Sequence, residues 1–383
     1  MLYLGSRSFA VVIFSLSVCF TFFFGVLSAP LPGDEAGWST PSYLDMGPLF
    51  WAGRRLLEGS DLYMPSTSFA YPPYTAPLCL VLALFAEPHA KVAITVLNVV
   101  SLALLALYCD KTLRREADLG HPWETWKWLI LAIVVGNFFT VLVIRSGQTS
   151  LLVIAALAWG WHFAHQNRWL LAGSLLPIAA IKPQVAALVF VWLLLDRQFK
   201  ALGAAALFGI VASLIPVVLT QSVNVFTDWL LIGIPSYQSL PVNQYGGGVF
   251  GLPNLLHDLG IDLPTLLPLG LLMAFYLHWR LHLDPMDALA ILVAGALLLG
   301  LVHPYDLCGL VFLVPAIWRH VHQRSARECT IAVCLLVALL MPRRIIYGIL
   351  PFAHYREILV FATLMLLIVL VNKARGGPPI AEG

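Results

Sequence analysis

The stretch PYTAPLCLVLALFA, residues 73–86, decides how this chain is threaded. It is apolar, but its 14 residues fall short of the roughly 20 that a helix needs to cross a bilayer core. Counted as a crossing, it puts the loop KTLRREADLGHPWETWK (111–127) on the same side as residues 39–63. Left out, as a re-entrant or interfacial helix, it puts that loop on the opposite side.

The question arises because the rest of the chain is so apolar. Of 383 residues, 60% are hydrophobic and 11% charged, against about 45–50% and about 25% in an ordinary soluble domain. That composition excludes a soluble enzyme or a nucleic-acid-binding protein and describes an integral membrane protein. In lipid the backbone must satisfy its own polar groups, in helices or in a closed barrel. The apolar runs are rich in Leu, Ala and Val and lack strand alternation, so the prediction is all-α. Apolar windows fall near 9–28, 90–109, 128–144, 149–164, 168–181, 183–195, 201–220, 263–281, 285–302, 307–319, 329–341 and 357–372. The first exceeds the core of a signal peptide, about 7–15 residues, and reads as a retained span. The six cysteines are scattered through apolar runs without metal-type spacing, as small buried hydrophobes are.

The positive-inside rule settles the status of 73–86. With it left out, one face collects Arg7, Lys111, Arg114, Arg115, Lys127, Arg168, Arg197, Lys200, Arg280, Arg319, Arg324, Arg327, Lys373 and Arg375. Counted as a span, it would move all of these after Arg7 to the outside. The expectation is therefore a polytopic helical bundle of about twelve spans with both termini cytoplasmic. It forms one domain over residues 1–375, followed by a disordered tail, 376–383.

Residues 29–89 then form a large first external loop. Within it a short helix is expected from about Pro48 to Glu58, with Pro48 in the first turn and Gly59 at the C′ position. Met46, Leu49, Phe50, Gly53, Leu56 and Leu57 make one apolar face, so the helix should lie along the membrane surface. Arg54 and Glu58, four apart, are placed to pair. Asp45 stands just before the first turn, and Asp61 lies in a turn after the helix.

The remaining external segments are IRSGQTS (144–150), IKPQ (181–184), the long loop 221–262 with VNQYGGGVFGLPN, LVHPYDL (301–307) and MPRRIIYGILPFAHYRE (341–357). They carry Arg145, Lys182, Arg343, Arg344 and Arg356 on the face where the rule predicts few cations. Each is either a snorkelling anchor or part of a site, and a charge near membrane depth points first to a site. Converging cations suit a phosphate-bearing ligand.

Taken in order, Asp45, LLEGSDLY (56–63), YPP (71–73), SGQTS (146–150), AGSLLPIAAIKPQ (172–184) and HPYDL (303–307) resemble glycosyltransferase family 87, bacterial polytopic enzymes of the GT-C fold. The resemblance covers roughly residues 40–310. It implies an inverting, metal-independent sugar transfer on the extracytoplasmic face of a bacterial inner membrane. It implies a polyprenyl-phosphate-sugar donor, mannose being the sugar best associated with the family. The expected partners are that donor, a glycolipid or polysaccharide acceptor and membrane lipids, with no nucleic acid, cofactor or metal. GT-C enzymes carry an essential carboxylate in the first external loop, the position Asp45 matches.

Such a transfer needs a base for the acceptor hydroxyl and fixed cations or amides facing the leaving phosphate. Asp45 is the expected base, with an N-cap role as its alternative and Asp61 as the runner-up. Lys182 and Arg145, with Arg343 and Arg344, are expected at the donor phosphate. Gln148, His303, Asp306, Asp61 and Asn243 are expected near sugar or acceptor, the His303–Asp306 pair having an interhelical hydrogen bond as its plain alternative. The glycines 246–248 mark loop 221–262 as a lid over the acceptor. Two other classes compete: a flippase or transporter of a lipid-linked sugar, and a non-catalytic scaffold. The absence of a convincing internal repeat, and polar residues gathered at one face, count against passage through the bilayer.

Overall fold

The structure is a computed structural model describing residues 7–27, 45–65, 69–117, 123–245, 249–263, 265–281, 283–321 and 355–376. These residues are helical, apart from turns and a single bridge between Phe250 and Val302. The span expected at 329–341, the tail after residue 376, Arg343, Arg344 and Gly246 to Gly248 lie outside the described residues.

Among the described residues, two helices are long and apolar enough to cross a membrane, within Glu87–Arg114 and Phe199–Thr220. A third crossing counts if Lys127–Gly136 and Phe138–Ser146, bent by 41°, form one broken span. The other apolar helices, among them Ser150–His165, Trp169–Ala179, Pro183–Leu195 and Pro285–Leu299, have 10–17 residues. Helix length alone therefore does not give the expected twelve. Their shortness has local causes: Arg168, Lys182 and Asp196 stand just past the ends of the first three, Gly300 ends the fourth, and Pro183 and Pro285 start two of them.

The stretch 73–86 becomes a 3₁₀ turn, Pro73–Thr75, and a helix, Ala76–Ala83. At about 1.5 Å per residue the helix is roughly 12 Å long, less than half a bilayer core of about 30 Å. It packs against the amphipathic helix that follows Asp45. That helix runs Met46–Leu57, two residues earlier than expected at its start, so Pro48 falls third in its first turn. Met46, Leu49, Phe50, Gly53 and Leu56 are buried as the spacing predicted; Ala52 joins them, while Leu57 is exposed. A Cβ on Gly53 would stand 2.0 Å from the carbonyl oxygen of Cys79, so only glycine permits this approach. Gly59 has φ +68°. Its N–H bonds the Leu56 carbonyl while that of Ser60 bonds Arg55, a Schellman ending. The expected Arg54–Glu58 pair does not form. Arg54 instead donates to the Phe85 carbonyl at 2.9 Å and lies over the Phe50 ring, because the neighbouring helix end offers it an acceptor.

The helix Arg7–Thr21, continued by a π-helical turn Phe22–Leu27, packs on Trp123–Gly136. Phe14 meets Trp128 and the Thr21 hydroxyl donates to the Val135 carbonyl. Asn137 supports the bend that follows. It accepts from the Thr140 N–H and donates to the Val134 carbonyl and the Thr140 hydroxyl, replacing backbone bonds lost at the break. The large core joins the faces of Ser150–His165, Pro183–Leu195, Pro285–Leu299 and Pro304–Phe312.

Candidate active site

Asp45 occupies the N-cap of the surface helix, yet its side chain makes no capping bond. Its backbone N–H donates to the Ser146 carbonyl at 3.2 Å, fixing the loop to the turn after the bent span. Burial pushes its carboxylate pKa up, against the pull of the Lys182 charge and of the Gln148 and Ser146 side chains beside it.

Gln148 is aimed by the turn before it. Gly147 adopts φ +68°, and the Gln148 N–H returns to the Val143 carbonyl at 3.1 Å. A residue with a Cβ adopts that conformation only at a cost. Gln148 is buried, and its Oε1 accepts from Lys182 Nζ at 3.1 Å, the Tyr71 hydroxyl at 3.3 Å and the Thr149 N–H at 3.3 Å.

Lys182 precedes Pro183, which starts the next helix. Its Nζ lies 2.7 Å from Asp306 Oδ1, 2.7 Å from Ser150 Oγ and 4.4 Å from the Tyr305 ring centroid. An ammonium has three donors, and Asp306, Ser150 and Gln148 take all three. Lys182 is 5% exposed and Asp306 fully buried. Ser150 Oγ also donates to Asp306 Oδ1 at 2.8 Å, while Asp306 Oδ2 accepts from the His303 N–H at 3.3 Å. His303 Nε2 pairs with the Tyr237 hydroxyl at 3.0 Å and its ring stacks on Tyr305.

Asn243 completes the chain of contacts by donating to the Tyr237 carbonyl at 2.6 Å. Its Oδ1 is enclosed without a hydrogen-bond donor among the described residues. The segment carrying Tyr237 is tied to the loop before Pro72 as well, through Trp229 Nε1 to the Ala70 carbonyl at 2.8 Å.

Asp45, Gln148, Lys182, Asn243, His303 and Asp306, predicted separately from five segments, thus share one network. Arg145 stands in the last turn of Phe138–Ser146, three residues before Gln148, and is partly buried. Asp61 does not join: it is exposed in the turn after the surface helix. Ser150, Tyr71, Tyr237 and Tyr305 join without having been singled out for these contacts. Ser150 and Tyr305 lie inside the motifs SGQTS and HPYDL; Tyr237 carries no sequence signal. Burial raises the Tyr71 pKa well above its ordinary range, so it stays a hydroxyl donor.

No curated protein matches the chain. The family model described as glycosyltransferase family 87 matches residues 69–369. That region holds Gln148, Lys182, Asn243, His303 and Asp306, and begins after Asp45. Covering most of the sequence, the match shows that the chain belongs to glycosyltransferase family 87.

Proposed function

We propose that this glycosyltransferase moves a sugar, mannose first among candidates, from a polyprenyl-phosphate donor to an envelope glycolipid or polysaccharide. The reaction is placed at the extracytoplasmic face of a bacterial inner membrane, as an inverting transfer that needs no metal or cofactor. The observation that carries this reading is the convergence of Asp45 with Gln148, Lys182, Asn243, His303 and Asp306. All come from segments that the charge distribution threads to one side.

In this reading the acceptor oxygen attacks the anomeric carbon while the bond from that carbon to the phosphate oxygen breaks. The lipid phosphate leaves with the bonding electrons, and Asp45 takes the acceptor proton. A carboxylate with a raised pKa is the stronger base, and this is the direction in which burial moves Asp45. Arg145 faces the leaving phosphate, together with Arg343 and Arg344. Asn243 Oδ1, enclosed without a donor, receives a sugar or acceptor hydroxyl. His303, held by Tyr237, orients the same substrates.

The test is transfer by the full-length protein in detergent, from radiolabelled polyprenyl-phosphate-mannose to a lipid acceptor extract, for wild type and Asp45→Asn. Product from wild type and a loss of about 10²–10⁴-fold in the variant is expected. Equal product from both removes Asp45 as the base. No mannose transfer by wild type that still binds the donor excludes mannose as the transferred sugar.

A further inference from the structure

We propose that Gln148 touches the lipid donor through its NH₂ group, as a hydrogen-bond donor to the phosphate oxygens. Lys182 is then not a phosphate ligand but the positioning residue that fixes the amide in this sense. The inference deepens the polyprenyl-phosphate reading above and rests on it.

Three observations carry it. First, the amide has a defined sense. Gln148 Oε1 lies 3.1 Å from Lys182 Nζ and 3.3 Å from the Thr149 backbone nitrogen. An ammonium and a backbone N–H can only donate, so the atom between them is the oxygen and not the nitrogen. The Tyr71 hydroxyl donates to it as well, at 3.3 Å. A carbonyl oxygen has two lone pairs, and three donors fill them. Gln148 therefore has nothing left with which to accept a sugar hydroxyl. What it offers a ligand is the donor end of the amide.

Second, Lys182 has no N–H left for an anion. Asp306 Oδ1 and Ser150 Oγ at 2.7 Å and Gln148 Oε1 at 3.1 Å take all three, and the Tyr305 ring covers the ammonium from 4.4 Å. Its side chain is 5% exposed and pairs with a fully buried carboxylate. Drawing it away to meet a phosphate would leave Asp306 as an unpaired buried charge. The ammonium acts instead through the amide: a cation on the carbonyl oxygen polarises the group and makes its N–H bonds stronger donors.

Third, the place suits a phosphate. Gly147, with φ +68°, ends the helix that carries Arg145, and Gln148 follows it directly. The Asp45 N–H bonds the Ser146 carbonyl at 3.2 Å, so the proposed base is tied to the same turn. An ionised phosphate oxygen accepts and never donates, and its charge strengthens each hydrogen bond it receives. That is the group which a polarised NH₂ matches best.

The experiment measures binding of polyprenyl phosphate without its sugar to the full-length protein in detergent, beside binding of polyprenyl-phosphate-mannose. Gln148→Glu keeps the oxygen that Lys182, Tyr71 and Thr149 bond and replaces the NH₂ by an acceptor. It is expected to weaken both ligands at least about tenfold, which is what a hydrogen bond to a charged group contributes. Gln148→Ala should do the same. Lys182→Met should weaken both ligands in the otherwise wild-type protein, yet add less than about twofold in Gln148→Ala, because it acts only through the amide. Losses that multiply in the double variant would make Lys182 a phosphate ligand or a support of the fold alone, and either overturns the proposal. Unchanged binding of polyprenyl phosphate by Gln148→Glu overturns it too. So does a loss confined to the sugar-bearing donor, since Gln148 would then read the sugar. If Lys182→Met does not fold, Lys182→Met with Asp306→Asn, which leaves no buried charge behind, takes its place. Wild type that binds neither lipid overturns the donor reading and the proposal with it, whereas wild-type binding that Gln148→Glu retains overturns the proposal alone.

Discussion

Asp45 stands where a capping residue would stand and does not cap; its carboxylate lies instead in the field of Lys182, Gln148 and Ser146. A helix start gives up that stabilisation, about 0.5–2 kcal/mol, only if the carboxylate has other work. The raised pKa makes the cost measurable. A carboxyl whose folded pKa lies above its unfolded value favours the fold only while protonated, and that contribution is lost as pH rises through the folded pKa. Asp45→Asn has no charge to desolvate. Its melting temperature should match that of wild type below roughly pH 4, where the unfolded carboxyl is protonated. It should exceed wild type increasingly above that, levelling off once pH passes the folded pKa. A variant less stable than wild type at pH 8 would mean that the carboxylate stabilises the fold and is not strained by its site. Most of the network was legible in sequence because a charge or amide is expensive at membrane level, so Lys182, Gln148 and Asp306 stand out from apolar surroundings. Tyr237 and Ser150 did not stand out, since a tyrosine at an interface or a serine at a helix start is ordinary there.

At the scale of elements, the bend at Asn137 was not legible. The window 128–144 reads as one span, and a single asparagine in it looks like a tolerated polar residue. The structure uses its amide to close a 41° break, and the helix beyond that break carries Arg145 and leads to Gln148. Asn137→Ala leaves the Val134 carbonyl and the Thr140 N–H without this partner, a loss of about 1–3 kcal/mol for buried groups. A drop of several degrees in melting temperature and reduced transfer are expected, since Gln148 loses its support. Unchanged stability would show that the backbone closes the bend unaided. The surface helix was legible down to its Gly59 ending because its apolar spacing and C-terminal glycine are local signals. Its contact with Ala76–Ala83 was not, because a glycine at position 53 does not say what approaches it. Gly53→Ala puts a methyl group against the Cys79 carbonyl and should cost about 1–3 kcal/mol, read as lower thermal stability in detergent. No loss would mean that the two helices separate freely.

For the whole molecule, the order of polar ends says more than helix length. Ser150 lies in the Asp45 network, and His165, at the other end of the same helix, reaches Asp196. Lys182 and Asp196 flank Pro183–Leu195 in the same sense, and His278 joins Asp196 from Leu267–Arg280. Asp284 and Asp287 meet Arg319 at the start of Pro285–Leu299, whose far end leads to His303. Among the described residues, the ends at His165, Asp196 and His278, and those at Asp284, Asp287 and Arg319, thus meet others that the positive-inside rule assigned inward, while Ser150, Lys182 and His303 meet at the opposite ends. Short helices that run from one cluster to the other bring two chemically distinct faces together, which surface-lying helices of the same length would not do. The prediction is made with single cysteines in a cysteine-free background. Glu58→Cys, exposed beside the surface helix, should react with an impermeant thiol reagent in intact cells. Gln166→Cys, exposed beside His165, should react only in inside-out vesicles. Labelling of both from the same side would return residues 73–86 to the list of crossings. Asp45 would then lie on the opposite side of the membrane from Gln148 and Lys182, and the proposed site would be taken apart.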